Sequence, residues 1–121
     1  MKLFFGLGAL FGGLGVALGA FGAHALRSSL TPEDLATFEI GVRYQMYHAL
    51  ALLAVAWAST QWEAAAVAAA GWSFVVGIVV FSGSLYVLVL TGQRWLGAVT
   101  PIGGTALIVG WALLFWTAFR G

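Results

Sequence analysis

Cysteine is absent from this chain, proline occurs twice, and only 7% of the residues are charged. Without cysteine there are no disulfides, no thiolate metal sites and no thiol catalysis, although the redox compartment is left open. The charged share is far below the roughly 25% of soluble domains, so there is too little polar surface to cover a water-soluble fold. A net charge of +1 with no run of basic residues excludes a nucleic-acid footprint and a polybasic lipid anchor. What is present is apolar: 62% hydrophobic residues and a mean hydropathy of +1.01. Over 121 residues, this composition predicts a single polytopic domain in contact with the lipid bilayer.

The first apolar segment covers residues 3–26. Ala23-His24-Ala25 has the small-x-small form of a signal-peptide cleavage site. The apolar run before it exceeds the about 7–15 residues of a signal-peptide core, so a transmembrane helix is expected here. Gly8, Gly12, Gly15, Gly19 and Gly22 recur at spacings of 4, 3, 4 and 3 and form one narrow helical stripe. Glycine is a poor helix former, and such a stripe predicts close backbone approach by a neighbouring helix. Gly6, Gly13, Ala17, Ala20 and His24 make a second small-residue face, which predicts a central helix packed on two sides.

Residues 27–37 are the one strongly polar connection. Thr31-Pro32-Glu33-Asp34 reads as a helix start, with Thr as N-cap, Pro at the first helical position and acids near the positive dipole end. A second helix is expected over 32–60, its first turns at the interface with Leu35 and Phe38 turned inward. From Arg43 to Thr60 there are 17 residues, about 25 Å of helix against about 30 Å of hydrocarbon. Arg43 is therefore expected just inside the boundary, snorkelling outward or paired with Glu39 at i,i+4 spacing. An unpaired charge at mid-membrane costs about 2.5–3.5 kcal/mol, so the edge is the cheaper position.

Trp57 and Trp62 bracket the far end of this helix as an aromatic belt would. The short turn 59–63 predicts an antiparallel third helix over 64–91. Its Val and Ile content could suggest a strand, but a lone strand in lipid leaves its backbone unpaired. Ser73, Gly77 and Ser84 share a face and offer another packing stripe. A fourth helix is expected over 95–119, with Thr100-Pro101 in its first two turns predicting a kink or local irregularity. The expected fold is all-α: a bundle of four transmembrane helices with short loops and a partly interfacial start to the second helix. Basic residues are too evenly divided between the two sides to set an orientation.

Four stretches carry a resemblance. Gly-Ala-Phe-Gly-Ala-His-Ala-Leu (19–26), Phe-Glu-Ile-Gly-Val-Arg-Tyr-Gln-Met-Tyr-His-Ala-Leu (38–50), Phe-Ser-Gly-Ser-Leu-Tyr (81–86) and Leu-Gly-Ala-Val-Thr-Pro-Ile-Gly-Gly (96–104) are similar to signature stretches of the domain-of-unknown-function 423 family. Animal relatives of that family are called transmembrane protein 256. The resemblance covers nearly the whole chain and implies a small four-helix integral membrane protein, usually bacterial. It implies no activity and no functional residues.

The chemistry-bearing residues converge on one membrane boundary. The first helix ends there with His24, and the second begins there with Glu39, Arg43, Tyr44, Tyr47 and His48. The third helix ends there with Ser82, Ser84 and Tyr86, and the fourth starts there with Arg94, Thr100 and Pro101. A hydrogen-bonded network that fixes helix register is the simplest use of such a cluster. Two intramembrane histidines suit a haem or a metal, but no short His-x-His spacing accompanies them, so neither metal nor cofactor is expected. A proton relay through Glu39 and His48 is the stronger chemical alternative. Glu39 and His48 lack a nucleophile, and the glycines of the first helix form no phosphate loop, so no enzyme is expected.

The function that fits best is an accessory, structural or assembly component of a membrane complex. The alternatives are a small homo-oligomeric transporter or channel with its pore between protomers, or a lipid, quinone or haem binder using the polar cluster. The expected location is the cytoplasmic membrane of a bacterium. The expected partners are the bilayer and a membrane protein or further copies of the chain, with no nucleic acid.

Overall fold

The computed structural model describes residues 1–120, and among these the regular structure is helical throughout. Helix α1 (Lys2–Leu26) is α-helical over Lys2–Ala17, widens into a π-helical turn at Leu18–Gly22 and closes over Ala23–Leu26. Helix α2 is Pro32–Ala58. Helix α3 covers 64–91 and contains a second π-turn at Ile78–Ser82. A 3-10 turn, Arg94–Ala98, leads into α4 (Thr100–Arg120).

The helix ends follow from local chemistry. Thr31 caps α2, its hydroxyl accepting the Asp34 N–H at 3.1 Å, and Pro32 follows with its φ already helical. Gly92 ends α3 in the left-handed region at φ 74°, its N–H donating to the Leu88 carbonyl at 2.8 Å. A residue with a Cβ would be strained there. Pro101 lies in the first turn of α4, where the missing N–H costs no intrahelical bond. The irregularity expected around Thr100-Pro101 takes the form of the 3-10 turn that precedes it.

Among the described residues, three helices are long and apolar enough to cross a membrane: Lys2–Leu26, Ala65–Thr91 and Arg94–Arg120. Helix α2 has 27 residues but carries Glu39, Arg43, Gln45 and His48, and it falls outside that set. The protein's outer surface is a coat of large apolar side chains, among them Leu10, Phe21, Leu50, Leu90, Ile108 and Phe115. Such a surface needs hydrocarbon around it.

Helices α1 and α2 run antiparallel, and the glycine stripe is their seam. Cβ atoms at Gly8 and Gly12 would meet Ala49, one at Gly15 would meet Met46, one at Gly19 Val42 and one at Gly22 Phe38. Close approach of this kind replaces the hydrophobic effect, which lipid cannot supply between helices. The second small-residue face behaves differently. Gly6, Gly13, Ala17, Ala20 and His24 are all exposed, and a Cβ at Gly6 or Gly13 would meet no atom within 4 Å. Helix α1 is therefore an outer helix packed through one face. The inner places belong to α2 and α3: α2 packs between α1 and α3, and α3 packs between α2 and α4.

The interior is layered. At one end Phe4, Leu52, Val55, Val67, Phe74 and Leu107 form the main apolar core. At the other, Phe38, Leu88 and Val89 form a smaller one. Between them lies a layer containing the buried polar residues Gln45, His48 and Ser82.

Candidate functional site

The site is built on the inward face of α2. Phe38, Gly41, Gln45, His48, Leu52 and Val55 follow spacings of 3, 4, 3, 4 and 3 and are all buried. Gln45, 3% exposed, is the hub. Its side-chain Nε2 donates to the Phe11 carbonyl of α1 at 2.8 Å, and its Oε1 accepts from the Tyr86 hydroxyl of α3 at 2.6 Å. A carbonyl only accepts, so the amide orientation is settled: nitrogen faces Phe11 and oxygen faces Tyr86. Gly15 makes room for this reach, since a Cβ there would lie 3.5 Å from Gln45 Nε2 and against the Met46 sulfur.

The π-turn of α3 is wedged between two glycines on its neighbours. On one side the Ser82 hydroxyl donates to the Gly41 carbonyl of α2 at 2.6 Å. On the other, a Cβ at Gly103 of α4 would lie 2.8 Å from the Phe81 Cα. One turn further, the Ser84 and Thr100 hydroxyls are 2.6 Å apart and join α3 to α4. Whichever donates to the other, the second proton has a carbonyl to go to: Phe81 at 2.9 Å from Ser84, or Leu96 at 3.2 Å from Thr100.

His48 is 5% exposed and uses both ring nitrogens. The Trp111 indole N–H of α4 donates to His48 Nε2 at 2.9 Å, and His48 Nδ1 lies 2.7 Å from the Tyr44 carbonyl. The indole only donates and the carbonyl only accepts, so the imidazole is neutral with its proton on Nδ1. Tyr44, Tyr47, His48, Phe81 and Trp111 line an aromatic groove between α2 and α4. Tyr44 packs on Phe81 at 4.9 Å between ring centres.

The polar cluster expected at one boundary is thus distributed over distinct environments. Tyr44, Tyr47 and His48 border the α2–α4 groove, whereas Ser82 and Tyr86 lie with Gln45 between α1 and α3. Ser84 and Thr100 tie α3 to α4. His24, Glu39 and Arg43 are exposed on the outer faces of α1 and α2. The i,i+4 pair considered for Glu39 and Arg43 does not form. Arg94 instead reaches Asp34 through two bonds of 3.0 and 3.3 Å, the one salt bridge among the described residues. An exposed i,i+4 pair is worth only about 0.2–0.5 kcal/mol, too little to hold two long side chains together. His24 and His48 do not meet. Gln45, Trp111 and Asp34 are the participants that reasoning from the sequence missed. For Gln45 a signal existed: it sits on the 3,4-spaced face with Gly41 and His48.

Comparison with known proteins places this architecture among others. The family described as "Protein of unknown function (DUF423)" matches over residues 18–104. A UPF0382 membrane protein of Staphylococcus aureus (strain bovine RF122 / ET3-1) is 47% identical over 120 residues, covering 99% of this chain and 98% of its own. The UPF0382 membrane protein YwdK of Bacillus subtilis (strain 168) is 45% identical over 121 residues, with 99% and 98% covered. No solved structure matches. With the matched segment running from the π-turn of α1 to the Gly103–Phe81 crossing, and relatives aligned over almost the whole chain, this membrane protein belongs to the DUF423 family.

Proposed function

We propose that all four helices cross a bacterial cytoplasmic membrane and that the protein is an accessory, structural or assembly component of a larger membrane complex, with no catalytic activity of its own. The crossing of α2 is supported by its packing: it lies antiparallel along α1 from Gly8 to Gly22 and so shares the direction of α1 through the bilayer. Its buried polar side chains are tolerable in lipid because Gln45 and His48 are hydrogen-bonded within the bundle.

The observation that carries the accessory role is the uncovered face of α1. Gly6, Gly13, Ala17 and Ala20 form a small-residue surface of the kind that seats another helix, yet no atom lies within 4 Å of a Cβ at either glycine. The interior polar groups bond to one another and to backbone carbonyls, which supports a structural use for them over a conducting path. The test is purification from the native membrane in mild detergent, for the wild type and for Gly13→Leu. A stoichiometric membrane-protein partner is expected with the wild type and lost in the variant, whose own thermal stability stays unchanged. A particle containing this chain alone, as monomer or homo-oligomer, would overturn the reading, as would a partner retained in full by Gly13→Leu.

A further inference from the structure

Between α1 and α3 the bundle opens into a cleft of about 390 Å³. Phe11, Leu14 and Leu18 line one wall and Val79 and Gly83 the other, while Gln45 and Tyr86 lie between them. We propose that this cleft binds a membrane quinone, a neutral ring with carbonyl oxygens and an isoprenoid tail, with one carbonyl accepting a hydrogen bond from Gln45. The cleft shares Ala17 with the docking face of α1, and different variants, Gly13→Leu there and Gly83→Leu here, test the two.

The hydrogen-bond inventory sets the ligand's chemistry. The Gln45 amide has two N–H donors, and one goes to Phe11. The other has no acceptor among the described residues, and the Tyr86 oxygen, having donated its proton to Gln45, keeps free lone pairs. A carbonyl oxygen satisfies the free N–H, and no charged residue lines the cleft to receive a phosphate or an ammonium group. The ligand is therefore uncharged and apolar apart from an accepting oxygen.

Depth separates a quinone from a glyceride. Gln45 is midway along α2, thirteen residues or about 20 Å of helix from either end, and it lies beside Gly15, near the middle of α1. With α2 crossing the bilayer, Arg43 therefore sits deeper than the boundary position expected from the sequence. The ester carbonyls of a glyceride stay near the interface with their glycerol, whereas a quinone ring has no polar anchor and can enter at mid-depth. The volume falls within the about 300–1,000 Å³ of small-molecule sites. Both walls also depart from α-helix where they border the cleft, at Leu18 and at Ile78–Ser82, and π-turns recur at functional sites.

Gly83 supplies the test, because a Cβ there would meet nothing within 4 Å. Gly83→Leu fills the cleft without touching the Gln45 network, and Val79→Trp fills it from the exposed wall. The experiment follows the thermal unfolding of the purified full chain in detergent, titrated with a short-chain prenylated naphthoquinone or with dioleoylglycerol. The quinone is expected to raise the wild-type midpoint saturably, and dioleoylglycerol is not. Gly83→Leu and Val79→Trp should each lose at least about ten-fold in quinone affinity, while Tyr86→Phe, which lets the Gln45 amide turn, should lose about ten-fold, the equivalent of one hydrogen bond. Wild-type affinity in both filling variants would overturn the proposal, and so would an equal shift from dioleoylglycerol or no saturable shift at all.

Discussion

Trp111 and Gln45 each hold a polar group in the middle of the bundle, and they differ in how much they hold. The Trp111 indole makes one interhelical hydrogen bond, to His48, whereas the Gln45 amide makes two, to α1 and to α3. Interhelical hydrogen bonds in membranes average about 0.6 kcal/mol and reach about 1.7. Trp111→Phe, which keeps most of the packing on Phe74, should cost about 0.5–1.5 kcal/mol. Gln45→Leu should cost about 1–3 kcal/mol, because it also strands the Tyr86 hydroxyl. Unfolding in mixed micelles orders the two, and a Gln45→Leu protein as stable as wild type would remove Gln45 from its place as hub. Arg94→Ala should leave stability almost unchanged, since the side chain is 66% exposed and water already screens the Asp34 pair. A loss as large as that of Gln45→Leu in the same assay would contradict that.

At the scale of the helix, the seam between α1 and α2 distinguishes glycines that look alike in the sequence. A Cβ at Gly8 would lie 2.8 Å from the Ala49 carbonyl oxygen, which is backbone and cannot yield, whereas one at Gly15 would press on the flexible end of Met46. Gly8→Ala should therefore destabilise the protein by about 1–3 kcal/mol and Gly15→Ala by less. Gly6→Ala should be neutral or stabilising by about 0.5–1 kcal/mol, because only the backbone entropy term acts there. Equal stability for Gly8→Ala and Gly6→Ala would mean that the seam is not packed as described. The stripe itself is legible in the sequence, because glycine at helical spacing has no cause other than approach or a ligand. The opposite face of small residues is equally legible as a pattern, but a pattern cannot say whether its partner lies in the same chain. The π-turns are not legible at all. Leu18–Gly22 and Ile78–Ser82 share no composition that separates them from ordinary α-helix, and Ile78–Ser82 sits where Gly41 and Gly103 make room from across the interface.

For the whole molecule, hydropathy and helix signals are enough to read an all-helical membrane protein, since 7% charged residues leave no other solution. The spatial order of the helices is harder. It places α2, the most polar of the four, between α1 and α3, and polarity alone would equally suit an interfacial helix. Gln45 is hidden in the sequence for a related reason: a neutral amide draws less notice than a charge, yet it joins three helices. The absence of cysteine makes the topology directly testable, because any introduced thiol is unique. Single cysteines at Ser28 and Gln93 should label from one side of the membrane, and those at Gln61 and Arg120 from the other. Labelling of Ser28→Cys and Gln61→Cys from the same side would place α2 along the surface instead of across the bilayer.

The π-turn of α3 also acts as a phase shifter. An α-helix advances about 100° per residue, so the one extra residue in this turn sets everything after it about 100° away from where an unbroken helix would point it. Before the turn, α3 presents Phe74 and Gly77 to α4; after it, Tyr86 faces Gln45 and Ser84 faces Thr100. Deleting one residue within Ile78–Ser82 would leave the composition almost untouched and still swing the second half of the helix out of phase with both neighbours. Such a deletion should damage the fold more than any single substitution in the turn. Restoring one residue just before Gly83, of almost any apolar type, should bring the two halves back into step.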